Sequence, residues 1–411
     1  MGKSVNERII TGLDVGTTKV CAIVGELTDS SLKIIGFGMA PSRGIKKGVV
    51  INIDETVESI KKAVHDAEVM AGVKISNVHV GIAGGHIKSY NSTGVIAIKN
   101  KVVREDDKRR VIDAAQALNI PLDREIIHVL TQEYIVDNQD GIKEPLGMSG
   151  IRLEVKVHIV TAAVTAVQNV IKCCTKAGLK VDDIVLEQLA SSEAVLTEDE
   201  KDLGVVLVDL GGGTTDIVVF KNGSIKHSSV VSLGGNNITN DIAMVLRTAT
   251  NEAENLKVKY GSAMTSLVDK AETIDVPSIG TKRNKIIPRT TLSEIIEPRI
   301  EEIFTIVNRE ILKSEVRNLI ASGVVLTGGG ALLNGAAELG EQVFELPVRV
   351  GISNVAGVVD LISSPQFSTA VGLVIYGSKN IYKRTSGDNE QKWSFTGIIE
   401  RMKSFLKDWF E

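Results

Sequence analysis

The apolar positions of this chain fall into short runs of strand length that end in glycine, polar or acidic residues. Residues 9–14 and 20–24 form the first pair of runs, and Gly16-Thr17-Thr18 lies between them. β-Branched residues on both sides of a short polar turn are typical of a β-hairpin. A helical pattern over 54–71 and a strand-like run over 78–82 follow. The opening of the chain therefore predicts an α/β unit that begins with a hairpin.

The second half of the chain restarts with the same pattern. An apolar run over 205–210 contains Asp209, leads into a turn of glycine and threonine at 211–215, and is followed by a second apolar run over 217–220. Because strand, acid, turn and strand occur in the same order at both places, internal duplication is the simplest explanation. The sequence thus predicts two related lobes.

Other segments interrupt both halves. Strand-like pieces around one helical pattern at 105–118 fill residues 85–162, which we interpret as an inserted subdomain. We interpret the acidic stretch at 197–202 as a linker between the halves. Residues 236–313 are mainly helical in pattern, with prolines such as Pro298 as interruptions, and they predict a second insertion.

Composition narrows the class of protein. The 411 residues are 43% hydrophobic and 24% charged, which fits about two to four globular units and excludes a disordered chain. A net charge of −4 gives no general field for nucleic acid, so no nucleic-acid partner is expected. Three cysteines, two of them adjacent, favour a reducing compartment, and the six histidines lack metal-ligand spacing. No run approaches the roughly 18–20 apolar residues of a transmembrane helix, so a soluble body is expected.

The first turn combines residues that suit phosphate chemistry. Gly16 permits a close approach of the backbone, and the amides and hydroxyls of Thr17 and Thr18 can form an anion-binding nest. The Asp14 carboxylate can hold hydrated Mg²⁺. Lys19 either neutralises phosphate or is simply solvated. Alone, this motif also fits an ordinary hairpin turn.

Two further segments add to this chemistry. The second turn gives a phosphate-binding hairpin to the other lobe, so that two hairpins could close on one nucleotide from opposite sides. Its candidate residues are Asp209, also a candidate for holding Mg²⁺ through water, Gly211, Gly212, Gly213, Thr214 and Thr215. The triplet Gly328-Gly329-Gly330 follows a strand-like run and is predicted to open a helix, which suits contact with a base or an α-phosphate. The triplet also fits a tight strand-to-helix turn.

These three segments resemble the motifs of the actin-like ATPase superfamily, which includes actins, sugar kinases and heat-shock chaperone ATPases. The phosphate-one, phosphate-two and adenosine motifs would lie at 14–20, 209–216 and 327–331, whereas the sequence contains no P-loop or dinucleotide-binding motif. The resemblance implies an α/β, actin-like two-lobed fold of duplicated RNase-H-like domains, with ATP and Mg²⁺ between the lobes.

The same resemblance suggests three more residues. Glu187, which begins the segment 187–195, would orient the attacking water as a catalytic carboxylate, although a glutamate at a helix N-terminus is also favoured by the helix dipole. Glu254 and Lys257 would reach the ribose and adenine, or would form a solvated i,i+3 pair. Whether ATP is hydrolysed stays open.

Within the superfamily, the string Gly81-Ile82-Ala83-Gly84-Gly85-His86-Ile87, the segment 187–195 and the chain length resemble the FtsA family of bacterial cell-division proteins. This resemblance implies a filament-forming protein that meets FtsZ, the tubulin-like ring protein, and other division proteins at the division site. It also implies a division of the chain into subdomain 1A at 1–84 and 163–198, inserted subdomain 1C at 85–162, subdomain 2A at 199–235 and 314–382, subdomain 2B at 236–313, a flexible linker at 383–392 and a C-terminal helix at 393–411.

The end of the chain concentrates aromatic residues in an amphipathic pattern. Both tryptophans and three of the eight phenylalanines follow residue 392. At about 100° per residue, the apolar side chains fall within an arc of about 140° on a helix. They are Ile398, Ile399, Met402, Phe405, Leu406, Trp409 and Phe410. Because a polar tether precedes this segment, it fits a membrane interface, with docking into a groove of a partner as the alternative.

A single tail of this kind would bind a membrane reversibly. Three basic and three acidic residues between 398 and 411 give little attraction to anionic lipid, whereas an array of tethered copies gains from multivalency. This favours a filament on the inner face of the cytoplasmic membrane. The alternatives are an actin-like pilus-assembly adaptor, a shape-determining filament protein, and a sugar or small-acid kinase of the same superfamily, although a kinase has no use for such a tail.

Overall fold

The structure is a computed structural model that describes residues 9–28, 31–278, 284–313, 317–353, 355–357 and 362–385. The predicted linker from residue 386 onward and the predicted C-terminal helix lie outside the described residues. The strands are β1 (Ile9–Val15), β2 (Lys19–Leu27), β3 (Leu32–Pro41), β4 (Ile45–Lys46), β5 (Val49–Val50), β6 (Asn77–Ile82), β7 (Lys88–Ala97), β8 (Arg124–Val136), β9 (Gln139–Ile142), β10 (Arg152–Ala163), β11 (Lys180–Leu186), β12 (Val205–Leu210), β13 (Thr215–Lys221), β14 (Ser224–Val231), β15 (Thr273–Val276), β16 (Lys285–Pro288), β17 (Val324–Thr327), β18 (Val348–Val350) and β19 (Ala356–Gly357). The α-helices are α1 (Ile53–Ala71), α2 (Glu105–Ala115), α3 (Val164–Lys176), α4 (Glu187–Val195), α5 (Glu198–Leu203), α6 (Gly235–Leu246), α7 (Thr250–Tyr260), α8 (Arg289–Lys313), α9 (Ala336–Phe344) and α10 (Ser368–Thr385), with short 3-10 helices at Thr265–Leu267, Arg317–Leu319, Gly329–Leu332 and Pro365–Phe367.

Two sheets of matching topology form the centres of two lobes. The strand order is β11-β6-β1-β2-β3-β19 in the first lobe and β14-β13-β12-β17-β18 in the second. In each lobe three consecutive strands pair antiparallel, and two later strands extend the sheet in parallel from the first of them. The shared order confirms the predicted duplication.

Both faces of the first sheet are covered, which explains its apolar strands. Leu13 and Val24 belong to the core that includes residues of α1. Ile10 and Ile23, which alternate with them along the same strands, pack with residues of α10 instead. The turn between β1 and β2 lies at the ends of these two central strands and faces the second lobe, since a Cβ atom on Gly212 would lie 2.4 Å from Thr18 Cγ2.

Helices α4 and α10 cross at the junction of the two lobes. Helix α4 follows the last strand of the first lobe, and α10 returns from the second lobe to pack on the first sheet. A Cβ atom on Gly372 of α10 would lie 1.8 Å from the carbonyl oxygen of Ala190 of α4. Glycine is therefore required for this crossing.

A separate four-stranded sheet, in the order β7-β10-β8-β9, is attached to the first lobe. Leu153, Val155 and Val157 alternate along β10 and pack with residues of α2 on one face. The other face of the sheet contacts β14 of the second lobe, where Ser89 Oγ donates to the carbonyl of Ser228 at 2.7 Å.

The structure differs from the sequence predictions at three places. The acidic stretch at 197–202 is not a linker, because it forms α5, whose cap Thr197 accepts a hydrogen bond from the amide of Glu200 at 3.2 Å. Pro298 lies inside α8 without ending it, since the buried face of that helix outweighs one lost hydrogen bond. Helix α10 runs to Thr385 and so includes the first three residues of the predicted linker.

Among the described helices, none is long and apolar enough to cross a membrane.

Candidate functional site

A cavity of about 450 Å³ lies between the two lobes, which is within the size range of small-molecule sites. All but one of the residues predicted from the nucleotide motifs line it. They are Asp14, Gly16, Thr17, Thr18, Lys19, Glu187, Asp209, Gly211, Gly212, Gly213, Thr214, Glu254, Lys257, Gly328, Gly329 and Gly330. The exception is Thr215, whose hydroxyl donates to the carbonyl of Leu233 at 2.9 Å and does not reach the cavity.

The two hairpin turns face each other across one end of the cavity. A Cβ atom on Gly212 would lie 2.4 Å from Thr18 Cγ2, and one on Gly213 would lie 2.5 Å from Thr17 Oγ1. The turns can approach this closely because the second one carries no side chains there. Their backbone amides and hydroxyls therefore surround one small volume, as an anion-binding nest requires.

Four carboxylates converge beside these turns. Burial raises the pKa of Asp14 to about 6; Lys19 opposes this rise, and the charge of Asp209 adds to it. Burial and then repulsion from Asp14 raise the pKa of Glu187, at the first turn of α4, well above its usual value. Burial likewise raises the pKa of Asp209. The arrangement therefore disfavours simultaneous ionisation unless a cation is bound nearby.

Asp216 is a member of this cluster that the sequence analysis did not single out. It pairs with Asp209 in the β12–β13 ladder, and Thr214 Oγ1 donates to its Oδ2 at 3.0 Å. Burial, followed by repulsion from Asp209, raises its pKa to about 8. Its Oδ1 is buried and has no hydrogen-bond partner among the described residues. Its position inside the 209–216 motif was a signal that could have identified it.

Glu254 and Lys257 form the expected i,i+3 pair, but the pair is not freely solvated. Lys257 Nζ lies 2.7 Å from Glu254 Oε2 and donates to Thr239 Oγ1 at 2.9 Å. It also donates to the carbonyl of Gly235 at 3.2 Å, so it holds the first turn of α6 against the cavity. The lysine side chain is only 14% exposed.

The end of the cavity away from the hairpin turns carries exposed apolar surface. Val258 and Leu332 line the cavity and are 77% and 55% exposed. Arg289 lines the same region, where its Nε donates to the carbonyl of Tyr260 at 2.8 Å. None of these three residues belongs to a predicted motif. They line one cavity only because folding brings α7, α8 and the Gly328 turn together.

Comparison with known sequences gives high similarity over nearly the whole chain. The family profile described as "Cell division protein FtsA" matches residues 206–372, and the profile "SHS2 domain inserted in FTSA" matches residues 84–161. The chain is 49% identical to a cell division protein FtsA of Pseudomonas aeruginosa over 97% of this chain and 98% of that protein. It is 46% identical to one from Neisseria meningitidis, over 98% and 99%, and 39% identical to one from Escherichia coli K12, over 100% of both.

Comparison with solved structures gives the fold. A PilM–PilN type IV pilus biogenesis complex matches with a TM-score of 0.66 and 17% identity, over 90% of this chain and 98% of that chain. MreB5 of Spiroplasma citri bound to ADP matches with a TM-score of 0.56 and 16% identity, over 92% and 98%. These likenesses confirm the actin-like fold that the sequence motifs predicted.

Proposed function

Since the chain belongs to the FtsA family of cell-division proteins, we propose that it binds ATP with Mg²⁺ between its lobes and tethers the FtsZ ring to the inner face of the cytoplasmic membrane. The observation that carries the nucleotide part is the convergence of two amide-rich hairpin turns and four carboxylates on one cavity. MreB5 of Spiroplasma citri, which shares this fold, has been solved bound to ADP and bound to AMPPNP, which supports a nucleotide as the ligand.

The phosphates would lie between the hairpin turns. The bare amides of Gly212 and Gly213 meet Thr17 and Thr18 from the opposite lobe, so a phosphate chain there contacts both lobes at once. Lys19 lies in the same wall and adds a positive charge. A nucleotide bound in this way favours closure of the lobes, because its contacts to both exist only when the cleft is closed.

Mg²⁺ would be held through water by Asp14 and Asp209. Both side chains are at least 93% buried, which follows from exposed fractions of 5% and 7%, and burying two ionised carboxylates is costly without a compensating cation. The Oδ1 of Asp216, which has no hydrogen-bond partner among the described residues, would accept a hydrogen bond from a further water molecule bound to that ion. When bound, the ion neutralises negative charge on the phosphate oxygens.

The base would cover the apolar end of the cavity. Val258 and Leu332 are large exposed apolar residues on a cavity wall, and a flat adenine ring would remove both from water. Glu254 and Lys257 also line the cavity, and the ribose of the same nucleotide would pass beside them. Glu187 would orient the water that attacks the terminal phosphate.

The tail supports the membrane part of the proposal. Its apolar residues, from Ile398 to Phe410, lie on one predicted helical face, and the polar residues before them are predicted to form a tether. A filament of many tethered copies would bind the membrane much more tightly than one copy does. FtsZ and other division proteins are the partners that family membership suggests, at the division site.

The test compares the full chain with a version that ends at Thr385, so that α10 stays complete. Each is sedimented with vesicles of phosphatidylethanolamine and phosphatidylglycerol, with and without Mg-ATP, and the pellets are viewed by electron microscopy. We expect tail-dependent binding and ATP-promoted filaments that recruit added FtsZ. Equal sedimentation of both versions would contradict the membrane role, and filaments indifferent to Mg-ATP would contradict the nucleotide role.

A further inference from the structure

Asp209, at the end of β12, is hydrogen bonded to the first turn of a helix that lies far away in sequence. Thr369 Oγ1, in α10, donates to Asp209 Oδ2 at 3.0 Å. Both side chains line the cavity, and each is 7% exposed. A hydrogen bond to a buried carboxylate has a strong effect on its orientation, because few other groups compete for the oxygen.

The other carboxylate oxygen is confined by the backbone. A Cβ atom on Gly328 would lie 2.4 Å from Asp209 Oδ1, and Gly328 has a φ of 82°, which only glycine adopts without strain. The carboxylate therefore cannot rotate freely toward the Gly328 turn. Thr369, together with the hydroxyl of Ser191, therefore holds the orientation of the carboxylate toward the cavity.

The position of Thr369 is itself fixed by the partner of Asp209 in the sheet. Thr327 pairs with Asp209 across the β12–β17 ladder. Its Oγ1 donates to the Oγ of Ser368, the first residue of α10, at 2.7 Å. Asp209, Thr369, Ser368 and Thr327 thus form a closed circuit, in which β17, the strand paired with β12, anchors the residue next to Thr369.

From this circuit we propose that Thr369 is a positioning residue, which orients Asp209 toward the Mg²⁺ of the bound nucleotide. The inference rests on the proposed function, because it requires that a Mg-nucleotide bind beside Asp209. Groups that hydrogen bond a metal-ligating carboxylate fix its geometry, and their loss commonly lowers metal affinity about 10–100-fold; because Asp209 would hold the ion through water, we expect the lower end of that range. The geometry assigns this task to a residue outside all three nucleotide motifs.

The experiment compares Thr369→Val, which keeps the shape and removes the hydroxyl, with Thr369→Ser, which keeps the hydroxyl. Binding of a fluorescent ATP analogue to the full chain is titrated with Mg²⁺ and, separately, in excess EDTA. We expect Thr369→Val to raise the Mg²⁺ concentration for half-maximal enhancement about tenfold and to leave the affinity in EDTA unchanged. Thr369→Ser is expected to stay close to the wild type.

Three outcomes overturn the proposal. If Thr369→Val weakens binding equally with Mg²⁺ and in EDTA, the threonine has only a structural role. If it changes neither, the hydrogen bond does not position Asp209; in both cases the proposed function survives, because the wild type binds Mg-ATP. If the wild type binds the analogue without any effect of Mg²⁺, the inference and the magnesium part of the proposed function fail together.

Discussion

The imidazole of His158 lies between the lobes, with its Nε2 2.8 Å from the hydroxyl of Ser228. Its Nδ1 lies 2.7 Å from Asn91 Oδ1. Because an amide oxygen only accepts, Nδ1 carries the proton, and Nε2 accepts from the serine. Asn91 Nδ2 and Gln132 Nε2 donate to the carbonyls of Lys226 and Ile225 on β14, at 2.9 and 2.7 Å. We call these residues the polar seam; it joins the four-stranded sheet to the second lobe.

Asn91 takes part in three hydrogen bonds of the polar seam, since its Oδ1 also accepts from Gln132 Nε2 at 3.2 Å, so Asn91→Ala should be costly. The substitution leaves the carbonyl of Lys226 and the Nδ1 proton of His158 without partners. We expect a loss of about 1–3 kcal/mol in the free energy of unfolding, measured by urea denaturation. Asn100→Ala, at an exposed turn of the same sheet, is the control and should cost less than about 0.5 kcal/mol. Equal losses in the two variants would contradict a role for the seam.

His158 should make a destabilising contribution as the solution becomes acidic. Burial, with repulsion from His227 and His128, lowers its pKa to about 3 in the folded protein. The unfolded histidine takes up a proton near pH 6.5, so below that pH this residue binds more protons in the unfolded state, and its own contribution lowers stability by about 1.4 kcal/mol per pH unit down to about pH 3. The slope of the unfolding free energy against pH reports the number of protons that the protein takes up on unfolding. Between pH 6.5 and 5, His158→Gln should reduce this number by about one. Parallel curves for the variant and the wild type would refute this.

The crossing of α4 and α10 should not tolerate a side chain at Gly372. Alanine there would place its Cβ 1.8 Å from the Ala190 carbonyl oxygen and would force the helices apart. We expect Gly372→Ala to lower the thermal unfolding midpoint by several degrees. Gly340→Ala, also within a helix, is the matched control, since its Cβ would make only ordinary contacts at 3.4 Å and should stabilise by up to about 1 kcal/mol. A Gly372→Ala variant as stable as the control would disprove close packing at the crossing.

Glu187→Gln tests the proposed role of Glu187 in hydrolysis separately from any effect on nucleotide binding. The amide keeps the shape of the side chain and removes a charge from the carboxylate cluster, so affinity for Mg-ATP should be unchanged or higher. Phosphate release should fall about 100-fold or more, because an amide is not a base. Glu193→Gln, in the same helix but paired with Lys201 outside the cavity, is expected to release phosphate at the wild-type rate. A Glu187→Gln variant as fast as the wild type would exclude a catalytic role.

Trp409→Glu tests the proposed apolar face of the tail. A carboxylate at the centre of that face opposes insertion between lipids, so vesicle binding should fall at least tenfold. Ser404→Glu adds the same charge on the opposite, polar face and should bind nearly as well as the wild type. Co-sedimentation with vesicles measures both. If the two variants bind alike, the face does not contact the membrane.

The sequence predicts the parts of the site that are formed by contiguous residues. It does not predict the parts that form when residues far apart in the chain are brought together by folding. Each hairpin turn is a contiguous string whose glycines and acid reveal its chemistry, and the repeated string predicts two lobes. Thr215 belongs to such a string but points to Leu233, since neighbours along a strand face opposite sides. Thr369 meets Asp209 across 160 residues, and no local pattern records such a contact. The acidic stretch at 197–202 misleads because charge also suits the exposed face of a short, capped helix.

The extension of α10 to Thr385 limits the distance between the folded body and a membrane to which the tail is bound. A ten-residue linker at 383–392 would span at most about 36 Å, whereas the seven residues 386–392 left beyond the helix span at most about 25 Å. The body of an anchored protein would therefore stay close to the bilayer, at a distance of about one protein radius or less. Under the proposed membrane role, partners would approach the protein from the side or from the face opposite the lipid, and neighbouring copies would lie at the same height above the lipid.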